Sequence, residues 1–276
     1  MNKKVLTILT VFTIFLAMSA VNAGLLDFLD NSNPKATNDN TTFVVGFNSE
    51  FAPFAYKVGN GNYTGFYLEL AKEVCDRNNW TYVPQPIINW ESKQVELDSG
   101  EIDCIWSEFT INGRENDYEW SKPYFNNTQV FVVKNDSNIT SIADLNGKTV
   151  EVLSESSGAE ALETSNKTVK DTFGKMQKID NYNTGFMDLE SGACDAILAD
   201  YGCCKYELTE KFNTGNMKIL DEPLTFEQYG IGFKKGNTQL RDQVQKTLDE
   251  MYKDGTIDKI AQNYSDYGIP GKIIHP

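Results

Sequence analysis

Residues 97–108 read LDSGEIDCIWSE, and residues 189–200 read LESGACDAILAD. Both stretches share one pattern, in which an acidic helix end stopped by glycine leads through an aspartate into a short apolar strand. Because this helix-to-strand step belongs to a βαβ unit, its repetition predicts two related α/β lobes. Ligands of open α/β sheets bind outside the carboxyl ends of the strands, so residues 107–110 and Asp200 are expected to face a shared crevice.

The N-terminus has the order of an export signal. Two lysines at positions 3–4 precede an apolar run to about Ala20, and the small residues 21–23 form a cleavage pattern before Gly24. We expect cleavage there, with an uncleaved membrane anchor as the alternative because the apolar run is long. The polar residues 24–40 predict a linker. The protein is therefore expected outside the cytoplasm, either periplasmic or extracellular, or anchored to the outer face of the membrane.

Composition excludes several classes of function. The formal net charge of -14 argues against nucleic acid as a partner, because neutralising phosphates requires a basic face. The one histidine, His275, and the lack of a Cys-x-x-Cys pair argue against a zinc site, so no metal or cofactor is predicted. Five cysteines leave at least one thiol unpaired in a monomer. A pair between Cys75 and Cys104 is left open.

Periodicity assigns the rest of the chain to a discontinuous first lobe and a continuous second one. The apolar spacing predicts a helix over residues 65–76, and residues 128–133 and 229–233 read as strands that cross between the lobes. Lobe one is predicted to comprise residues 41–130 and 228–276, and lobe two residues 131–227. Paired crossings of this kind form a hinge.

One basic and one acidic side chain stand out near the predicted crevice. Arg114 follows the first repeat, and its guanidinium offers a fork that binds a carboxylate through two parallel hydrogen bonds. Asp200 ends the second repeat and offers a carboxylate for an ammonium group. Each alone is weak evidence, since arginines are often solvated or paired with a neighbouring acid and aspartates often end strands. Together they match the head group of an α-amino acid.

The chain resembles the periplasmic amino-acid-binding proteins of ABC importers, solute-binding family 3, from about Thr41 to Tyr267. The resemblance depends on the order of several separated motifs, each of which is unspecific alone. They are residues 51–54, 65–66, 100–103, 110–114 with 120–121, 143–148, 195–200, 228–231 and 254–256. It implies the two-lobe α/β fold of type II periplasmic binding proteins, with a mixed sheet and flanking helices in each lobe and a two-strand hinge.

The resemblance also implies roles for individual residues. Arg114 and Thr110 correspond to residues that hold the ligand carboxylate from lobe one, and Ser156 and Ser157 correspond to a loop that completes that site from lobe two. Asp200 corresponds to the residue that takes the ammonium group.

The ligand side chain is expected to lie between aromatic rings. Phe51 and Trp90 correspond to these rings, and Asn48 corresponds to a position, commonly aspartate, that contacts the far end of the side chain. Ser107 is also predicted to line the site, because it directly follows the first repeat strand.

The chain departs from the family pattern at several positions around the predicted site. The spacing from Thr110 to Arg114 is one residue shorter than usual, and Glu108 stands where a small residue is common. If Glu108 points into the cleft, it favours a cationic ligand, whereas strand alternation also allows it to point to solvent. Asn48 and Leu153 favour a neutral side chain, so a neutral polar amino acid is favoured over a cationic one.

The predicted function is the capture of an amino acid by a monomeric binding protein that delivers it to the permease of an ABC importer. A prephenate or cyclohexadienyl dehydratase on the same fold is the enzymatic alternative, since Glu50, Glu108 and Glu155 could act as acids. An extracellular sensor lobe is a third reading. We expect no enzyme, because the sequence contains neither a nucleophile and base pair nor a phosphate-binding loop.

Overall fold

The structure is a computed structural model, and it describes residues 42–275. The predicted signal (1–23) and linker (24–40) lie outside the described residues. The strands are β1 (Thr42–Phe47), β2 (Glu50–Phe51), β3 (Ala55–Lys57), β4 (Tyr63–Thr64), β5 (Thr81–Pro86), β6 (Cys104–Ile105), β7 (Glu119–Trp120), β8 (Phe125–Lys134), β9 (Thr149–Leu153), β10 (Lys175–Ile179), β11 (Ala196–Asp200), β12 (Met217–Ile219), β13 (Thr225–Tyr229) and β14 (Gly232–Phe233). The α-helices are α1 (Phe66–Asn78), α2 (Lys93–Ser99), α3 (Ser157–Glu163), α4 (Lys167–Lys170), α5 (Tyr182–Ser191), α6 (Tyr201–Tyr206), α7 (Thr238–Lys253) and α8 (Thr256–Gln262).

Two mixed sheets form the framework. The first has the order β5-β1-β6-β14-β7, and the second has the order β10-β9-β11-β8-β12, with β13 paired to β8. In the first sheet β1 runs parallel to β5 and β6, while β14 is antiparallel to β6. A small third sheet contains β2, β3 and β4. The parallel strands end at one edge of each sheet, which is where a ligand is expected.

The two sequence repeats adopt the same local structure. Helix α2 ends at Gly100 and helix α5 ends at Gly192, both in the left-handed conformation with φ of 80° and 84°. The aspartate that follows each helix accepts a hydrogen bond from the parallel strand next to the one it precedes, β1 beside β6 and β9 beside β11. Asp103 accepts from the Val44 N–H (2.7 Å), and Asp195 accepts from the Thr149 N–H (2.8 Å). The predicted helix-to-strand step is therefore present twice, with the same closing contact.

The chain passes between the two sheets twice, and the two crossings are hydrogen-bonded to each other. The first crossing joins β7 to β8, and the second joins β13 to β14. The Ser121 N–H donates to the Ile231 carbonyl (3.0 Å), and the Ile231 N–H donates to the Ser121 hydroxyl (2.9 Å). We propose that these crossings are the hinge and that the sheets belong to the two lobes predicted above.

Three elements have local features beyond the predicted pattern. Strand β5 contains Pro84 and Pro86, which it tolerates because it lies at the edge of its sheet. Helix α2 is preceded by a 3-10 turn (Trp90–Ser92). Strand β8 is longer than the predicted 128–133.

The cysteines are all buried and unpaired. The suggested pair of Cys75 with Cys104 is therefore wrong: both side chains are buried in the apolar cluster between α1 and the first sheet, where they act as packing residues. Burial raises the pKa of the Cys75 thiol to about 12. Within the part of the chain that the structure describes, no helix is long and apolar enough to cross a membrane.

Candidate ligand-binding site

A polar cluster lies where β1 and β6 end. The Asn48 N–H, just after β1, donates to the Ser107 hydroxyl (3.2 Å), and the Asn48 side-chain amide donates to Glu108 (3.1 Å). The Ser107 hydroxyl donates to the other carboxylate oxygen of Glu108. These contacts join residues that are about 60 positions apart, because parallel β1 and β6 end side by side. The Glu108 carboxylate is thus turned towards Asn48 and Ser107, and the residue is half-buried.

Glu108 is half-buried, and its carboxylate charge is poorly solvated. Burial raises the pKa of its carboxyl group to about 7, against the opposing effect of the hydrogen bonds from Ser107 and Asn48. Lys93 is the cation whose charge acts on it. The Lys93 ammonium donates to the Trp90 carbonyl (3.2 Å) and lies 5.1 Å from the centre of the Trp90 ring, so it is held away from an ion pair with Glu108.

Asp200 is at the centre of a second polar cluster, in the other sheet. It is 3% exposed and accepts hydrogen bonds from the amides of Asn127 (2.6 Å) and Gln129 (2.9 Å) and from the hydroxyl of Tyr182 (3.0 Å). The Tyr229 hydroxyl also donates to it. Every one of these donors is neutral, so the carboxylate is solvated by dipoles without a compensating charge.

A second buried carboxylate shares the same amide donors. Glu227 on β13 is 5% exposed and accepts from Asn127 (2.6 Å) and Gln129 (2.8 Å). Burial and the neighbouring Glu227 raise the pKa of Asp200, and the charge of Glu108 acts in the same direction. The clusters on the two sheets are therefore close enough to interact. In residues 42–275, no Lys, Arg or His side chain forms an ion pair with these three carboxylates.

Arg114 links the loop after the first repeat to helix α3 of the second sheet. Its guanidinium forms an ion pair with Glu160 (2.8 Å) and makes a long contact with the Thr110 carbonyl (3.5 Å). The side chain of Arg114 is 19% exposed, whereas that of Glu160 is 47% exposed. The indole N–H of Trp120 donates to the Arg114 carbonyl (2.9 Å), which fixes the backbone of the loop despite its shorter spacing.

The two serines of the second sheet have different contacts. The Ser156 hydroxyl caps helix α3 by accepting from the Ala159 N–H (3.1 Å), and it donates to the Leu153 carbonyl (2.7 Å). The Ser157 hydroxyl accepts from the Gln129 amide (3.2 Å), which connects it to the Asp200 cluster.

The two aromatic residues of the predicted site have different partners. Phe51 is 1% exposed and packs against the rings of Phe54 (5.6 Å) and Tyr182 (5.7 Å), so it connects the small third sheet to helix α5. Trp90 is half-buried and meets Phe109 edge-on at 6.0 Å.

The structure thus assembles Asn48, Ser107 and Glu108 in one cluster, and Ser157 and Asp200 in another. Sequence analysis missed the residues that surround Asp200, namely Asn127, Gln129, Tyr182, Glu227 and Tyr229. One signal was present: Asn127 and Gln129 alternate on one face of β8 just before its apolar run, which is the pattern of polar groups placed at a site.

Other features lie outside these clusters. A cavity of about 730 Å³ is lined by residues such as Thr128, Tyr201 and Lys272, and none of the predicted site residues lines it. Among residues 42–275, no group of three or more His, Cys, Asp or Glu side chains could hold a metal ion.

Comparison with known proteins gives consistent matches over most of the chain. Residues 43–267 match the model of the bacterial extracellular solute-binding proteins, family 3. The probable amino-acid-binding protein YxeM of Bacillus subtilis is 30% identical over 254 residues, which cover 89% of this chain and 92% of that protein.

Solved structures agree with that match. A substrate-binding protein of an ABC uptake transporter from Streptococcus pneumoniae, with bound histidine, has a TM-score of 0.77 at 29% identity, covering 82% of this chain and 93% of that one. An ancestral arginine-binding protein bound to arginine has a TM-score of 0.74 at 34% identity, covering 81% and 97%. By name, these relatives are binding proteins rather than enzymes. The fold is the predicted two-lobe fold of type II periplasmic binding proteins, and the chain belongs to the bacterial extracellular solute-binding proteins, family 3.

Proposed function

We propose that the protein binds a free amino acid between its two sheets and delivers it to the permease of an ABC importer. The observation that carries the proposal is the state of Asp200, a buried carboxylate surrounded by neutral donors. A buried charge without a counter-charge is costly, and an incoming ammonium group removes that cost. The names of the relatives, which refer to amino acids, support the same ligand class.

The carboxylate of the ligand is assigned to Arg114. Its present partner Glu160 is about half exposed, so that ion pair contributes little and is readily exchanged. A ligand carboxylate can instead accept two parallel hydrogen bonds from the guanidinium. Thr110 supports this assignment, because its hydroxyl is buried (2% exposed) and has no hydrogen-bond partner in the described residues. Ser156 and Ser157, at the start of helix α3, are proposed to complete this side of the site.

Closure of the lobes is the proposed signal to the permease. Two contacts already reach the helices of the second sheet: Arg114, in the loop after β6, pairs with Glu160, and Phe51 of the third sheet packs against Tyr182. A ligand that bridges Arg114 and Asp200 adds to these contacts and excludes water from both charge pairs. We further propose that the protein acts outside the cytoplasm as a monomer.

The dehydratase alternative is less well supported than binding. Glu108 could donate a proton, because its carboxyl pKa is raised to about 7. However, the relatives described above are named for the amino acids they bind and not for a reaction. We therefore propose no catalytic step.

The test is thermal unfolding of the purified full chain against the twenty amino acids, after denaturation and refolding to remove carried-over ligand. A true ligand at a hundredfold excess over its dissociation constant stabilises the fold by about 2.7 kcal/mol. Two derivatives of the best ligand are the matched controls: its amide, which lacks the carboxylate, and its N-acetyl derivative, which lacks the ammonium group. Neither should stabilise the protein against thermal unfolding. The proposal is rejected if no amino acid shifts the transition.

A further inference from the structure

We propose that Glu108 binds the positively charged end of the ligand's side chain, and that the protein therefore selects amino acids with a cationic side chain over neutral ones. This inference depends on the amino-acid site proposed above and adds the class of ligand. It reverses the preference for a neutral side chain that Asn48 and Leu153 suggested.

The orientation of Glu108 is the first step of the argument. Asn48 and Ser107 each donate a hydrogen bond to a different oxygen of its carboxylate. Both donors are neutral, so they fix the direction of the group without cancelling its charge. Asn48 thus acts as a donor that holds Glu108 in place, and it no longer argues for a neutral ligand.

The second step of the argument considers which charged groups of the site have a partner of opposite charge. Glu108, Asp200 and Glu227 interact with one another, because the charges of both glutamates raise the pKa of Asp200. The ammonium group of an amino acid engages Asp200, and this leaves Glu108 uncompensated. Lys93, the cation whose charge acts on Glu108, donates to the Trp90 carbonyl and forms no ion pair with Glu108, and Arg114 is assigned to the ligand carboxylate. A neutral ligand would leave the Glu108 carboxylate without an ion pair, whereas a cationic side chain supplies one.

The buried hydroxyl of Tyr67, which has no hydrogen-bond partner in the described residues, also supports a polar ligand group in this site. Tyr67 is completely buried (0% exposed). Burial is the main cause that raises the pKa of this hydroxyl, and Tyr124 and the carboxylates of Glu108, Asp200 and Glu227 act in the same direction. Buried polar groups are normally hydrogen-bonded, and one left open near these carboxylates indicates space for a polar ligand atom.

The experiment uses isothermal titration calorimetry on the refolded full chain with ligand pairs of matched size. Arginine is compared with citrulline, and lysine is compared with norleucine, so that within each pair the main difference is the side-chain charge. We expect each cationic ligand to bind at least about 30-fold more tightly than its neutral partner, the lower limit for pairing a desolvated charge.

The variant Glu108→Gln keeps both hydrogen bonds, because its amide can accept from Asn48 and donate to Ser107. It should weaken binding of arginine and lysine by about 30-fold or more and leave citrulline within about threefold. Glu101→Gln, at an exposed position on the neighbouring turn, is the matched control and should change neither affinity.

The outcomes separate this inference from the proposed function. Equal affinity for charged and neutral partners in the wild type, or an unchanged preference in Glu108→Gln, overturns the role of Glu108 and leaves amino-acid binding intact. Failure of every amino acid to bind overturns the proposed function itself. If Glu108→Gln does not fold, the wild-type affinities for the charged and neutral ligands still test whether a cationic side chain is selected.

Discussion

The pH dependence of stability tests whether the Glu108 carboxylate is poorly solvated as described, without any ligand. The perturbation is Glu108→Gln, which removes the titrating group and retains the contacts with Asn48 and Ser107. Burial raises the pKa of Glu108 from 4.5 to about 7 in the folded protein. Between these two values the folded state holds the proton more tightly than the unfolded state does. The wild type should therefore lose stability as the pH rises through this window.

The size of the effect follows from the two pKa values. The difference between 4.5 and about 7 corresponds to about 3 kcal/mol of unfolding free energy once the pH exceeds both values. Glu108→Gln should thus be more stable than the wild type by about 3 kcal/mol near pH 8, and by less than about 1 kcal/mol near pH 5. Titrating groups that do not interact with Glu108 are shared by the two proteins, so their contributions cancel in the difference.

The assay is urea unfolding of ligand-stripped wild type and Glu108→Gln at several pH values from about 5 to 8. Glu101→Gln, which removes an exposed charge, is the control and should follow the wild type at each pH. A difference between wild type and Glu108→Gln that stays constant across this range would show that the carboxylate is solvated. The poor solvation of Glu108 would then be wrong, and with it the inference about the ligand.

Other predictions address the rest of the molecule. Asp200→Asn should weaken amino-acid binding by about 2 to 5 kcal/mol in calorimetry while the protein remains folded, because the ligand ammonium group loses its counter-charge; retained affinity would contradict its role. Arg114→Ala should cause a loss of similar size without changing the circular dichroism spectrum, since the ligand carboxylate is left unpaired. Glu151→Gln should raise the thermal midpoint near pH 7, because Glu151 is 1% exposed and burial raises its pKa, and a lower midpoint would show that the charge is needed. Gly65→Ala should destabilise the fold by about 1 to 3 kcal/mol in urea unfolding, because an added Cβ would lie 2.3 Å from the Phe54 carbonyl oxygen at a φ of 133°.

Local pattern was sufficient for the framework of the protein. The two stretches at residues 97–108 and 189–200 predicted two α/β units, and both form the expected glycine-stopped helix and following strand. Helix periodicity also identified α1, predicted over residues 65–76, whose Leu70, Val74 and Cys75 are buried. These features depend on the conformational freedom of glycine and on the 3.6-residue period, which act over neighbouring residues.

The sequence by itself determined the fold class and the family, and it predicted Arg114, Asp200 and Glu108 as charges of the site. Only the tertiary structure decided which way Glu108 points and that Glu227 shares the amide donors of Asp200. The physical reason is distance along the chain. The Asn48 amide is 60 residues from Glu108. Asn127, one of the amide donors that Asp200 and Glu227 share, is 73 residues from Asp200 and 100 from Glu227. The residue after a strand can turn to either side, and its direction is set by whichever donors the sheet order brings beside it.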